Sequence, residues 1–327
     1  MLTPSTIRQT TKVSAVKKVF YIDGGAGRAI AAIPALLKYA RLNPQDDWCV
    51  LVPGWDPLYW GIPELQNRTY SPDTKGVFDN IISQCDVMEA PEPYRNPAYF
   101  RQEISLAQAF DREINRTLDH SDLGLPQLVL NKAEEKFGEN TVADVKEAQK
   151  KTRTVVIQPF GRGARVDRGD VIDDGTRSLS INSFLSLAKK LALRYNLIFF
   201  GDPAFQIGSD NFTAKMKPET DIRMWSAIIN ASDYLVGVDS VGQHMARALG
   251  KPGTVIFGST FPINVSYPDW FQIIEKPGMK KYSPIRIAGL DGILADRIND
   301  KLMAWTERDI NDMYNKIVAD IDRKVGK

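Results

Sequence analysis

The stretch Trp225-Ser-Ala-Ile-Ile-Asn-Ala-Ser-Asp233-Tyr234-Leu-Val-Gly-Val238-Asp239-Ser240-Val241-Gly242-Gln243-His244-Met-Ala-Arg-Ala-Leu-Gly-Lys-Pro252-Gly253-Thr-Val-Ile-Phe257-Gly258-Ser259-Thr260-Phe-Pro262 decides the fold. It alternates helix, short apolar strand, polar turn, helix, short apolar strand, polar turn. Its strands carry Tyr, Leu, Val and Ile with no charge, the pattern of a parallel sheet covered on both faces. Asp239, Ser240 and Gly242 fall where a strand gives way to a helix. Ligands of open α/β sheets bind beyond the carboxyl ends of the strands. A helix start there offers backbone N–H groups and a positive dipole end, which suit phosphate. Gly258-Ser259-Thr260 makes a second polar turn at the same edge. The expectation is a nucleotide or phosphate site formed by Asp239, Ser240, Val241, Gly242, Gln243, Ser259 and Thr260.

Upstream, Thr154-Val-Val-Ile-Gln-Pro159 reads as a further strand, and Phe160-Gly-Arg162-Gly-Ala-Arg165 as its turn. Arginine forks match phosphate oxygens in paired hydrogen bonds, so Arg162 and Arg165 are candidates for a diphosphate clamp, with a solvated basic loop as the alternative. Asn196 to Phe200 is a buried strand followed by the turn Gly201-Asp202-Pro203. Asp173-Asp174 is weak evidence for a metal, and none is expected.

Near the start, Lys18-Val-Phe-Tyr-Ile-Asp23 reads as a strand, Gly24-Gly25-Ala-Gly27-Arg28 as a glycine-rich turn, and residues 29–42 as a helix. The dinucleotide fingerprint fails because Ile30 stands where its third glycine should fall, which argues against a dehydrogenase. A second strand from Trp48 ends in Gly54-Trp55-Asp56-Pro57-Leu58-Tyr59-Trp60, a loop able either to stack a sugar or base or simply to pack. His120 reads as a surface residue beside Asp119 and Asp122. Residues 131–153 read as a solvated helix, because acids and bases alternate. Ala304 to Val325 places Ile310, Met313, Ile317 and Ile321 at helical spacing.

Size and composition bound the class. The chain has 327 residues, 43% hydrophobic and 25% charged, with net charge +2. That is an ordinary globular composition with room for two medium α/β domains. Cys49 and Cys85 are the only cysteines, so no disulfide framework is called for. No stretch reads as a signal core or membrane span, and a cytoplasmic location is expected.

Asp239-Ser-x-Gly-x-His244-x-Ala246, the Lys251-Pro252 turn and Val255-Ile-Phe-Gly-Ser-Thr-x-Pro262 resemble the donor site of heptosyltransferase-like glycosyltransferases of family 9. With Asn264-Val-Ser-Tyr-Pro268, the stretch is more similar still to glycosyltransferases encoded by T-even-type bacteriophages. The resemblance is strong over about residues 154–268. It implies a GT-B fold, two Rossmann-like domains facing a central cleft: 1–150 for the acceptor, 151–303 for the nucleotide sugar, and 304–327 as a C-terminal helix packing back on the first domain. It implies inverting, metal-independent transfer from a nucleotide-diphosphate sugar, with no cofactor. His244 would help to stabilise the leaving diphosphate.

The resemblance makes Gly24, Gly25, Gly27 and Arg28, with Trp55, the acceptor side. Aligning on Pro34-Ala35-Leu36 places Arg28 on the aspartate that serves the family as catalytic base. A guanidinium cannot be a general base near neutral pH, so the base is left between Asp23 and Asp56. Arg28 is then open to a phosphate-holding role. Arg177-Ser-Leu-Ser180 stands where the family has Lys-x-Trp-Pro, which makes Arg177 the replacement for the family lysine and a third candidate to hold the diphosphate, and 166–176 looks like an insertion. The resemblance makes the turn Gly201-Asp202-Pro203 a nucleotide contact, with Asp202 reaching a ribose hydroxyl.

The phage likeness points to 5-hydroxymethylcytosine in double-stranded DNA as acceptor, with Arg28, Arg68, Arg95 and Arg101 for phosphate contacts. Alternatives are a lipopolysaccharide-core heptosyltransferase and a nucleotide-sugar-binding module without catalysis.

Overall fold

In the computed structural model, residues 18–161, 163–167, 170–173, 177–201, 218–278, 281 and 303–326 are described. The chain forms two compact units, one from residues 1–93 and 106–129, the other from 94–105 and 130–327.

The first unit is a four-stranded parallel sheet of β1 (Lys18–Tyr21), β2 (Trp48–Leu51), β3 (Thr69–Tyr70) and β4 (Val87–Glu89) in the order β3-β2-β1-β4. This is the Rossmann half-sheet order, whose direction reverses between β1 and β4. Helix α1 (Ala26–Leu42) crosses from β1 to β2, and α2 (Val77–Asn80) precedes β4. Phe20, Tyr39 and Trp48 meet edge-on with centroids 4.9–5.9 Å apart, locking α1 to the sheet. The short α3 (Pro97–Phe100) belongs to the second unit, whereas α4 (Leu106–Asn115) packs on α1 in the first.

His120 departs from its expected surface position. Its side chain is 9% exposed and its Nδ1 lies 2.6 Å from the buried Asp111 carboxylate, which also takes Lys38 Nζ at 3.1 Å. A buried carboxylate needs such partners, and they come from α1, α4 and the loop after α4.

The second unit opens with α5 (Lys132–Gln149), capped by Asn131 and Glu134 acting reciprocally. Strand β5 (Thr154–Gln158) follows, then the antiparallel pair β6 (Ala164–Asp167) and β7 (Asp170–Asp173). Next come α6 (Ile181–Ala192), β8 (Asn196–Phe199), α7 (Pro218–Ala231), β9 (Tyr234–Val238), α8 (Val241–Ala248), β10 (Gly253–Phe257), α9 (Pro262–Val265), β11 (Gln272–Glu275) and α10 (Glu307–Lys324). The main sheet is parallel, ordered β11-β10-β9-β5-β8, so its direction reverses between β5 and β9.

Two boundaries differ from expectation. Helix α5 packs on α7 and belongs to the second unit. Its acids are not all solvated: Glu134 is 6% exposed and accepts from Arg223 Nε at 2.9 Å. At Gly138 an added Cβ would lie 2.2 Å from the Ala227 carbonyl, so only glycine permits this approach of the helices. Helix α10 packs on α6 and the β10–β11 side of the same unit, with Ile310, Met313, Ile317 and Ile321 in its core. Buried Asp320 accepts from the Tyr234 hydroxyl, which is 2.7 Å from Thr254 Oγ1, and this chain pins the helix to β9 and β10.

Candidate functional site

The direction of the second sheet reverses at the carboxyl ends of β5 and β9, and the quoted turns sit there. β9 ends at Val238, and Asp239 and Ser240 lead into α8. Ser240 takes the N-cap position, yet its hydroxyl makes no bond to its own helix. Gln158, the last residue of β5, does that work instead: Gly242 N–H donates to its Oε1 at 2.8 Å, and its Nε2 donates to Ser240 Oγ at 3.1 Å. A Cβ on Gly242 would lie 2.2 Å from Gln158 Oε1, so any larger residue there would displace the Gln158 carboxamide from this bond. Ser240 and Val241 are half-exposed, whereas Asp239, Gly242, Gln243 and His244 are buried. Contrary to expectation, then, the Gly242 N–H is committed within the protein. Ser240 and Val241 are the accessible residues of this turn.

Around that turn, Gln243 Nε2 donates to Asp239 Oδ1 at 3.2 Å, which fixes the carboxylate behind the helix start. His244 Nδ1 lies 2.9 Å from the Tyr267 hydroxyl. Burial pulls the His244 imidazole down to about 4, so near pH 7 it is neutral and offers no positive charge. Burial also pushes the Tyr267 hydroxyl up. Ser259 and Thr260 are 1% and 2% exposed, and the Thr260 hydroxyl and Gln243 Oε1 are buried without a hydrogen-bond partner among the described residues. Asn264 Nδ2 donates to the Tyr99 and Ile104 carbonyls, both at 3.0 Å, and so ties the 94–105 segment into this unit.

Of the expected cations, Arg162 lies outside the described residues, as does Asp202. Arg165 is exposed on the β6–β7 pair. Arg177 lies over the turn after β5, where a Cβ on Gly161 would sit 3.8 Å from its Nη2. Lys281 donates to the Thr260 carbonyl at 3.4 Å and pairs with Glu275. Asp173 is structural: 1% exposed, it accepts from Ser178 N and Oγ at 3.0 and 2.5 Å. Gly201 serves packing, since a Cβ there would strike the Phe199 ring at 2.2 Å. Among the described residues no group of His, Cys, Asp and Glu side chains is placed to hold a metal ion.

In the first unit the sheet reverses between β1 and β4, and Arg28 spans that point. Its Nη2 lies 2.9 Å from Asp23 Oδ1 and 2.8 Å from the Pro91 carbonyl, and its Nη1 lies 3.1 and 3.3 Å from the Glu92 carboxylate oxygens. The Arg28 side chain is 7% exposed and Asp23 is 54% exposed. Arg28 therefore holds two carboxylates and is not open to a phosphate. Gly24 has φ +93°, and a Cβ there would meet Arg28 Cδ at 2.9 Å. Gly25 caps α1, and Gly27 lies in its first turn.

Trp55 is 6% exposed and its indole donates to the Gly24 carbonyl at 3.0 Å, so it packs and offers no face for stacking. Asp56 follows it in a 3-10 turn, and burial raises its carboxyl above the ordinary range. Of the arginines expected to face DNA phosphates, Arg68 donates to the Trp48 carbonyl at 3.0 Å and Arg101 pairs with Glu103 at 2.5 Å, while Arg95 is exposed.

Sequence reasoning missed Gln158 and Glu92. The first had a signal: a polar residue closing an apolar, fully buried strand just before Pro159. Glu92 had none, because its partner is 64 residues away.

No family model matches the chain, and no curated protein is significantly similar to it. Solved structures do resemble it. The glycosyl transferase family 9 structure from Veillonella parvula matches with TM-score 0.64 at 12% identity, covering 95% of this chain and 99% of that one. The ADP-heptose lipopolysaccharide heptosyltransferase II of E. coli matches with TM-score 0.54 at 13% identity, covering 92% and 99%. The iron-containing dodecameric glycosyltransferase TibC of enterotoxigenic E. coli matches with TM-score 0.57 at 13% identity, covering 94% and 78%. The fold is thus of the GT-B class, with two Rossmann-like units. No helix among the described residues is long and apolar enough to cross a membrane.

Proposed function

We propose that the protein is an inverting, metal-independent glycosyltransferase that moves a sugar from a nucleotide-diphosphate sugar to an acceptor hydroxyl. One observation carries this reading: half-exposed Ser240 and Val241 open α8 at the β5–β9 reversal of a GT-B-class fold. The donor's diphosphate lies against that turn, with Arg177 above the end of β5. Charge develops on the diphosphate as the glycosidic bond breaks, so donors fixed there lower the barrier directly. His244, being neutral, contributes as a hydrogen-bonding group and not as a cation. A carboxylate takes the acceptor proton. Asp23 suits that task better than Asp56, because it is exposed and held by Arg28.

For the acceptor we propose 5-hydroxymethylcytosine in duplex DNA, on the likeness of 239–268 to the phage enzymes and the replacement of the family aspartate by Arg28. A lipopolysaccharide-core acceptor is the second reading, supported by the fold shared with the E. coli heptosyltransferase. The test is incubation with 5-hydroxymethylcytosine-containing duplex DNA and a panel of nucleotide sugars, followed by mass spectrometry of the nucleosides. A hexose or pentose mass on that nucleoside supports the DNA reading. Transfer to core oligosaccharide alone replaces it with the second. Donor binding without transfer to either acceptor, and without donor hydrolysis, reduces the protein to a binding module.

A further inference from the structure

We infer that Gln158 is a positioning residue that turns Ser240 into an obligate hydrogen-bond donor toward the donor's diphosphate, which rests on the reading just given. The carboxamide has one acceptor and one donor end, and both are used across the strand gap. Its Oε1 takes the Gly242 N–H at 2.8 Å, and its Nε2 gives a proton to Ser240 Oγ at 3.1 Å. The first bond fixes which end of the amide faces which partner, because a backbone N–H can only donate. Ser240 Oγ is thereby made an acceptor toward Gln158, and its own proton must point elsewhere.

Ser240 is half-exposed while Gln158 is 3% exposed, and the serine hydroxyl makes no bond to its own helix. The free direction for the proton is toward solvent, where an anionic oxygen accepts it. The same arrangement occupies the Gly242 N–H, one of the donors a helix start otherwise presents to an anion. A phosphate therefore meets the serine hydroxyl rather than that amide. Gln158 thus sets the pattern of donors at the turn without touching the ligand.

The test is calorimetric titration of the full-length protein with ADP, GDP, UDP and CDP, continued with the tightest binder. Gln158→Leu removes the donor to Ser240 and also releases the Gly242 N–H, so its effect is read against the same change in a Ser240→Ala background. The substitution costs roughly tenfold more affinity with Ser240 present than without it, the worth of one strong hydrogen bond routed through the serine. In Gln158→Glu the introduced carboxylate keeps the Gly242 bond and captures the Ser240 proton. That variant retains a partner for the Gly242 N–H, and urea unfolding establishes that it is folded; once folded it too binds the nucleotide at least about tenfold more weakly.

Unchanged affinity in a folded glutamate variant overturns the inference. So does an equal loss from Gln158→Leu with and without Ser240. Failure of the unmodified protein to bind any of the diphosphates removes the donor-site reading itself, and the inference with it.

Discussion

Arg28 and Glu92 stand 64 residues apart in sequence and meet across the gap between β1 and β4, with Arg28 Nη1 3.1 and 3.3 Å from the two carboxylate oxygens. The same guanidinium holds Asp23 Oδ1 at 2.9 Å. A cation stands where the family resemblance expects an aspartate, and it is flanked by two carboxylates. One of them, Asp23, remains exposed beside it.

Removing that cation leaves both carboxylates beside an apolar replacement. Arg28→Leu should lower unfolding stability by about 2 kcal/mol, below the range for fully buried pairs because Asp23 is half in solvent. Arg28→Asp, which restores the family residue type, should be worse than Arg28→Leu because it gathers three like charges. Urea unfolding of the two variants checks the order.

Asp23→Asn should reduce turnover about 10²–10⁴-fold with little change in donor affinity, as expected for loss of a general base. Asp56→Asn should cost less than about tenfold, because that carboxyl is partly buried in the 3-10 turn after Trp55 whereas Asp23 is exposed. Steady-state kinetics with the acceptor identified by mass spectrometry distinguishes them, and the reverse order would transfer the role to Asp56.

His244 makes the fold sensitive to acid. Burial lowers its pKa to about 4, below the unfolded value near 6.5, so between those values the unfolded chain binds the extra proton. The stabilisation is fully present above about pH 6.5 and is lost as pH falls through about 4. It amounts to about 3 kcal/mol in full, of which about 2 should be gone by pH 4.5. Unfolding free energies at pH 7 and 4.5 should show a smaller difference in His244→Gln than in the parent.

Gly138→Ala should destabilise the second unit by about 2 kcal/mol or more, since the new Cβ meets the Ala227 carbonyl at 2.2 Å and α5 must move off α7. A thermal midpoint unchanged by this substitution would contradict that close approach.

How much of this could be read from the chain follows from what each feature depends on. The strands at 18, 48, 154, 196, 234 and 253 were legible because β-branched and aromatic runs, uncharged but for Lys18, mark buried parallel strands. β11 was not, since four residues, Gln272–Glu275, with polar ends carry no period. Assignment of α5 and α10 to the second unit rests on Glu134 finding Arg223 and Asp320 finding Tyr234, partners 89 and 86 residues distant. The roles of Arg28 and Trp55 likewise turned on partners beyond any local window. Residue types placed both near a site, but only contacts show that one holds carboxylates and the other packs beneath Gly24.

The most direct measurement is a crystal structure of the protein with its tightest-binding nucleoside diphosphate. The account predicts phosphate oxygens within hydrogen-bond reach of Ser240 Oγ at the start of α8, with Gln158 still on Gly242. Phosphates seated instead on the Gly24–Arg28 turn of the first unit would contradict it.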